Sequence, residues 1–285
     1  MLTLLLWACA PSDTPPLDDP PDAAADPPVG ATLGLIADPH VTADDDHADR
    51  LRRAVAWLAD RDDLDAVVVL GDVAWGDGPP VARAILDGLP TGWVAFTGDN
   101  EIQVGDERTS WDTFADVRPG PPVTAFVYGD APTRLAEPAQ DAWLQNQAFT
   151  VGDVRVVCLD WASRLVHPLL GELAWLHDVP GGTLPFLVDQ LAQAPGDVVL
   201  LSHHPMLNFP GGFDAADWAA LSEAVAPWSD RVVATAAGHL HAHADADAGP
   251  WPVHVLDATW DDEVAVSVLT LDGAGGYTLD RAELP

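Results

Sequence analysis

Lysine is absent from this chain of 285 residues, and its twelve basic side chains are all arginine. Forty-five aspartates and glutamates stand against them, which leaves a formal net charge of −33. Binding a polyanion requires a face of Lys and Arg that releases counterions, so capture of nucleic acid by charge is excluded. Cysteine is scarce as well. Cys9 and Cys158 are the only two, which rules out a disulfide-stapled scaffold. The apolar opening MLTLLLWACA is shorter than the roughly 20 residues that a membrane-spanning helix needs. What the chain does have is 48% hydrophobic residues with 20% charged. That is apolar material for one large domain or two small ones, and it rules out global disorder.

The opening decamer reads as an export signal. Leu6-Trp7-Ala8-Cys9 resembles a bacterial lipoprotein signal box, which implies cleavage before Cys9 and lipid on the new N-terminus. Residues 10–30 are dominated by Pro, Asp and Ala, a composition that cannot bury a core and stays extended. The expected organisation is therefore a signal segment over 1–9, a tether over 10–30 and one domain over 31–285. The expected location is periplasmic or outer-membrane associated, with the membrane reached only through a lipid anchor on Cys9. Cys158 lies in the apolar run VRVVCLDW and reads as a buried structural thiol.

Beyond residue 30, apolar runs repeatedly end in polar clusters: ATLGLIAD, AVVVLGD, GWVAFTGD, VRVVCLD, DVVLLSHH and RVVATAAGH. Continuous runs of this kind suit strands buried on both faces. Between the first two, Leu51, Ala54, Val55 and Leu58 recur at helical spacing and predict a helix over 44–60. Further helices are predicted near 81–86, 184–192 and 215–226. Alternating strands and helices imply an α/β fold with helices covering a sheet. The chemistry of such folds gathers beyond the strand ends.

Those ends read Asp38-Pro39-His40, Gly71-Asp72, Gly98-Asp99-Asn100-Glu101, His203-His204-Pro205 and Gly238-His239-Leu240-His241. Carboxylate oxygen and imidazole nitrogen suit Zn²⁺, Fe or Mn²⁺, and a set this large exceeds the needs of one ion. Residues two apart on extended backbone return to one side, so Asp38 with His40, and His239 with His241, could each face a shared site.

In that order the five motifs resemble those of the calcineurin-like metallophosphoesterases, D-x-H, G-D, G-N-H-D/E, H-x-P and G-H-x-H, over about residues 33–257. The resemblance implies a two-sheet sandwich flanked by helices, with a metal site at the C-terminal ends of strands. It implies hydrolysis of a small phosphomonoester or phosphodiester with two divalent metal ions, Fe, Zn or Mn. Carried over residue by residue, Asp38, His40 and His241 would hold one metal, and His203 and His239 the other. Asp72 would bridge them. Two cations roughly 3.5–4 Å apart can share a hydroxide of lowered pKa that attacks phosphorus in line.

One motif departs from the family pattern. With Gly98 and Glu101 as anchors, Asp99 falls on the family's ligand Asn and Asn100 on its His; a slip of one residue would make Asn100 the ligand instead. Asn100 can donate a hydrogen bond to a phosphoryl oxygen but has no proton to give a leaving group. His204, inside H-x-P, is the local candidate to assist protonation. His47, His243 and His254 read as surface or packing residues, and His167 and His177 as ordinary polar ones.

Overall fold

The apolar runs form strands whose alternate residues feed different cores. In the strand Ala66–Val69, Ala66 and Val68 face one apolar cluster while Val67 and Val69 face another. In Val154–Leu159, Val154, Val156 and Cys158 join the first of these clusters, and Val157 and Leu159 join a third. A strand with two buried faces needs apolar side chains at every position, which is why the runs are continuous. Burial pushes the Cys158 thiol pKa upward, in keeping with a packing role.

The computed structural model of the chain describes residues 29–42, 46–136, 139–164, 171–247, 249–260 and 264–285. The Cys9 signal, nearly all of the tether and His167 lie outside the described residues. In chain order, the first half opens with β1 (Ala31–Ile36), α1 (His47–Ala59), β2 (Ala66–Val69), α2 (Pro79–Leu86) and β3 (Trp93–Ala95). Two short helices follow, α3 (Asp99–Gln103) and α4 (Glu107–Phe114). Next come β4 (Thr124–Tyr128), β5 (Thr133–Arg134), β6 (Asp141–Ala142), β7 (Gln147–Val151), β8 (Val154–Leu159), β9 (Ala162–Ser163) and β10 (Gly171–Ala174). The second half runs α5 (Thr183–Gln193), β11 (Val198–Ser202), α6 (Ala215–Val225) and β12 (Val232–Ala237). It closes with β13 (Ala244–Asp247), β14 (Pro252–Val255), β15 (Val264–Leu271) and β16 (Tyr277–Leu284).

Two sheets stack face to face. One has the order β16-β15-β1-β2-β3 and the other β13-β14-β12-β11-β8-β7-β4. Leu33, Leu35 and Val68 of the first, with Phe96 just past β3, meet Val156, Val199 and Leu201 of the second. The outer face of the first sheet is covered by α1 and α2, through Leu51, Ala54, Val55, Leu58 and Ile85. The outer face of the second is covered by α5 and α6, through Leu187, Leu191, Leu221 and Val225. Each Leu, Ile or Val among them contributes about 1.5–3 kcal/mol when fully buried. Gly34 lets α1 approach, because a Cβ there would stand 2.9 Å from Leu58 Cδ2.

β1, β2 and β3 run parallel, as do β8, β11 and β12. Their C-terminal ends deliver the polar motifs of both sheets to one rim. The helix predicted over 44–60 begins at His47 and ends at Ala59. No helix among the described residues is long and apolar enough to cross a membrane.

Candidate metal centre

Each chemical motif sits in the turn that follows a buried strand, and those turns are strained. Among the described residues seven non-glycine positions have positive φ, and five of them are Asp38, His40, Asp72, His239 and His241. L residues seldom adopt this backbone, and such outliers collect where function over-determines the structure. The two pairs differ from one another against the pleat-based expectation. Asp38 and His40 do face one cluster, but His239 and His241, which lie past the end of β12 at φ 72° and 52°, separate into two.

The first cluster brings together Asp38, His40, Asp72 and His241, and the second Asp99, His203 and His239. Within each, candidate donor atoms lie within 4.8 Å of one another. Asp72 faces both. Its Oδ2 is 3.2 Å from His40 Nε2, and its Oδ1 is 3.6 Å from His203 Nε2. In the second cluster Asp99 Oδ1 lies 2.7 Å from His203 Nε2 and 3.2 Å from His239 Nδ1. His203 Nδ1 meets the Leu70 carbonyl at 3.0 Å, which suits an N–H donor there and turns Nε2 to the cluster. Asp38 accepts the His239 N–H on both oxygens, at 3.0 and 3.1 Å.

The glycines of the motifs are there because these carboxylates lie against them. A Cβ on Gly98 would stand 2.2 Å from Asp72 Oδ1, and one on Gly238 2.4 Å from Asp38 Oδ2. Gly71, at φ +82°, would drive a Cβ to 2.7 Å from that of His203.

Asn100 donates twice to Asp72: its backbone N–H reaches Oδ1 at 2.9 Å and its side-chain amide reaches Oδ2. Asp99, not Asn100, is thus the carboxylate-bearing partner of the second cluster. His204 is fully buried, its ring 4.5 Å from that of His239, and it is not among the residues that line the cleft. That cleft has a volume of about 290 Å³ and is lined by Asp72, Asp99, Asn100, Leu173, Gly211, His239 and His241.

Electrostatically the site is short of positive charge. Among the described residues no Arg forms an ion pair with Asp38, Asp72 or Asp99, whose partners are imidazoles. Burial raises the Asp38 carboxyl to about 6, with His203 acting in the opposite direction. Burial also opposes charge on His203, yet Asp72, Asp99 and Asp38 hold its pKa well above the ordinary imidazole range. Buried carboxylates with hydrogen-bonded imidazoles and no guanidinium are a donor set that two divalent cations would neutralise, so the residues present fit a metal pair.

Two residues outside the predicted site complete it. Glu101 is fully buried. Its Oε1 accepts the N–H groups of Val73 at 2.6 Å and Ala74 at 3.1 Å, and its Oε2 accepts that of Gly98 at 2.9 Å. It thereby ties the Asp72 turn to the Asp99 turn. Trp260 stacks on His40 and its indole N–H meets His241 Nδ1 at 3.3 Å. Glu101 was visible in sequence only as a motif anchor, and nothing near Trp260 signals its role. The remaining histidines pack elsewhere: His254 bridges Asp245 and Tyr277, His243 is exposed, and His177 is buried with Nε2 on the Ala162 carbonyl. His47 contacts the His40 carbonyl and Trp260.

The family model described as calcineurin-like phosphoesterase matches residues 31–243. A dimetal phosphatase from Danio rerio superposes with a TM-score of 0.60 at 16% identity, over 91% of this chain and 99% of that one. GAP50, the anchor in the inner membrane complex of Plasmodium, superposes with a TM-score of 0.52 at 8% identity, over 90% of each chain. At these identities the likeness shows the fold. Among curated proteins none matches the chain.

Proposed function

Because this chain belongs to the calcineurin-like phosphoesterase family, we propose that it hydrolyses a phosphomonoester or phosphodiester at this rim with two divalent cations. The observation that carries the reading is Asp72, one buried carboxylate whose two oxygens face imidazoles of different clusters. Asp38, His40 and His241 would hold one cation, Asp99, His203 and His239 the other, with Asp72 between them. Zn, Fe or Mn suits these donors. Two such cations supply Lewis acidity toward the phosphoryl oxygens and an attacking water of lowered pKa.

The chain's own residues supply the rest. Glu101 holds the Asp72 and Asp99 turns in register, so the clusters keep their spacing when the site is loaded. Asn100 fixes Asp72 from the substrate side of the cleft. As a neutral amide it has no proton to hand to a departing oxygen. The site therefore suits esters whose alcohol leaves readily as an anion.

The test is to strip the protein with chelator, restore Mn²⁺, Zn²⁺ or Fe, and screen aryl and alkyl phosphomono- and diesters. Turnover should return with two ions per chain, and Asp72→Ala should lose metal and nearly all activity. An Asp72→Ala protein that keeps two ions and near-normal turnover overturns the assignment.

A further inference from the structure

The metal cleft, at about 290 Å³, is at the small end of small-molecule sites, which usually offer about 300–1,000 Å³. A second cavity of about 630 Å³ opens beside it and shares Leu173 and Gly211 with it. Gly211 is the saddle between them. At φ +94°, a Cβ there would lie 3.7 Å from both His239 Nε2 and Phe209 Cε2, so an imidazole of the candidate centre and a ring of the cavity flank a residue without a side chain.

The cavity wall is built before any ligand arrives. Leu173, 39% exposed, and Trp175 enter from the β10 side, and Phe209 and Pro210 from the loop after β11. Trp175 N–H donates to the Trp161 carbonyl at 2.7 Å, and Ala174 N–H to that of Gly212 at 3.3 Å. Beneath the β9–β10 pair, buried Arg164 is clamped by Asp160 and Glu107, each at 2.7 Å. Aromatic and aliphatic faces held this way cost little entropy on binding.

Among the described residues the charge in the wall is all of one sign: no basic side chain lines the cavity, whereas Asp214 and Asp217 do. Asp214 Oδ1 is occupied as the cap of α6, accepting from Ala216 and Asp217 N–H at 2.8 Å each. The side chain of Asp217 is half-buried, and burial together with Asp214 raises its pKa. A second anionic group would be repelled here, and a cation resting on the rings would relieve both carboxylates.

Resting on the phosphoesterase reading, we propose that this cavity takes the organic part of the substrate and that this part is an apolar group carrying a positive charge, of the quaternary ammonium type. Binding is tested on chelator-treated full-length protein titrated with phenyltrimethylammonium. One saturable site is expected, weakened about tenfold or more in Trp175→Ala and in Asp217→Asn and restored by Trp175→Phe, which keeps an aromatic face. Asp230→Asn removes the same charge from an exposed residue outside the cavity and should change nothing. Selectivity is tested on metal-loaded protein with 4-nitrophenyl phosphodiesters whose second alcohol is either choline or its neutral isostere 3,3-dimethylbutanol. The choline ester should have a kcat/KM about tenfold higher or more, and Asp217→Asn should erase that ratio. Equal handling of the two isosteres, or cation binding that Asp230→Asn weakens as much as Asp217→Asn, overturns the subsite, while turnover of 4-nitrophenyl phosphate leaves the phosphoesterase reading standing. Failure to turn over any ester overturns both.

Discussion

Truncating Glu101 to alanine should damage the protein more than any change at an exposed carboxylate, and the cost can be worked from three hydrogen bonds. The side chain is fully buried and satisfies the N–H groups of Val73, Ala74 and Gly98. A buried donor left without a partner costs about 1–3 kcal/mol, so three give about 3 kcal/mol even if water recovers part of the loss. Against a typical total stability of about 5–15 kcal/mol that is a large fraction. For a chain of this size each kcal/mol lowers Tm by about 2–4 °C, which puts the expected fall near 6–12 °C. Glu101→Gln keeps one acceptor oxygen but sets an amide N–H₂ against a backbone N–H, so it should fall between wild type and alanine. Melting should be followed in chelator, because metal bound to the native state would add its own stabilisation. Metal affinity, measured separately, should drop about 10–100-fold in the alanine variant as the two ligand turns lose their tie. If Glu101→Ala melts within about 2 °C of wild type, a loss of about 1 kcal/mol or less, and binds metal normally, the tie is not what holds these turns together.

Asn100→His should flatten the dependence of kcat on leaving-group pKa, raising alkyl-ester turnover relative to aryl by about 10²–10⁴-fold, the usual worth of a general acid; a wild type that already handles both alike contradicts this. His177 is kept neutral by burial and by Arg164, which lower its pKa to about 4 from the ordinary 6.5. The unfolded chain therefore binds the extra proton in this window, and stability falls by about 3 kcal/mol as pH drops from 6.5 toward 4. His177→Gln should remove that slope in denaturant titrations at pH 7 and pH 4, and parallel wild-type and variant curves would refute it. Cys9→Ser should abolish lipid attachment and leave the precursor unprocessed or the protein released from membranes; mass spectrometry finding no lipid on the wild type rejects the anchor.

The parts of this molecule that repeat a simple physical rule were legible from the sequence. Strands buried on both faces demand unbroken apolar runs, so β1, β2, β3, β8, β11 and β12 stood out with their polar ends. α1 showed itself through Leu51, Ala54, Val55 and Leu58, all buried. The short helices α3 and α4 did not, since each presents only one or two buried apolar side chains, too few to set a period. The antiparallel neighbour of β1 is β15, more than 200 residues later, a pairing that local pattern does not encode. The same limit applies at the site. Side chains that follow strand ends announce themselves as candidate ligands, but Glu101 acts on backbone N–H groups of residues 73 and 74, and Trp260 on a histidine 19 positions earlier. Such roles come from loops meeting in space, and no spacing in the chain records them.

The five left-handed residues at the rim carry a consequence for how this chain would respond to selection. A left-handed L residue costs roughly 1–2 kcal/mol more than the right-handed alternative, a cost that glycine escapes and that asparagine and aspartate largely avoid. His40, His239 and His241 carry that cost, while Asp38 and Asp72 are buried charges without an arginine to meet them. A library screened for heat tolerance alone, with no demand for turnover, would therefore enrich Gly and Asn at these five positions before most others. The places where the chain has most stability to gain are the places where it has its chemistry to lose.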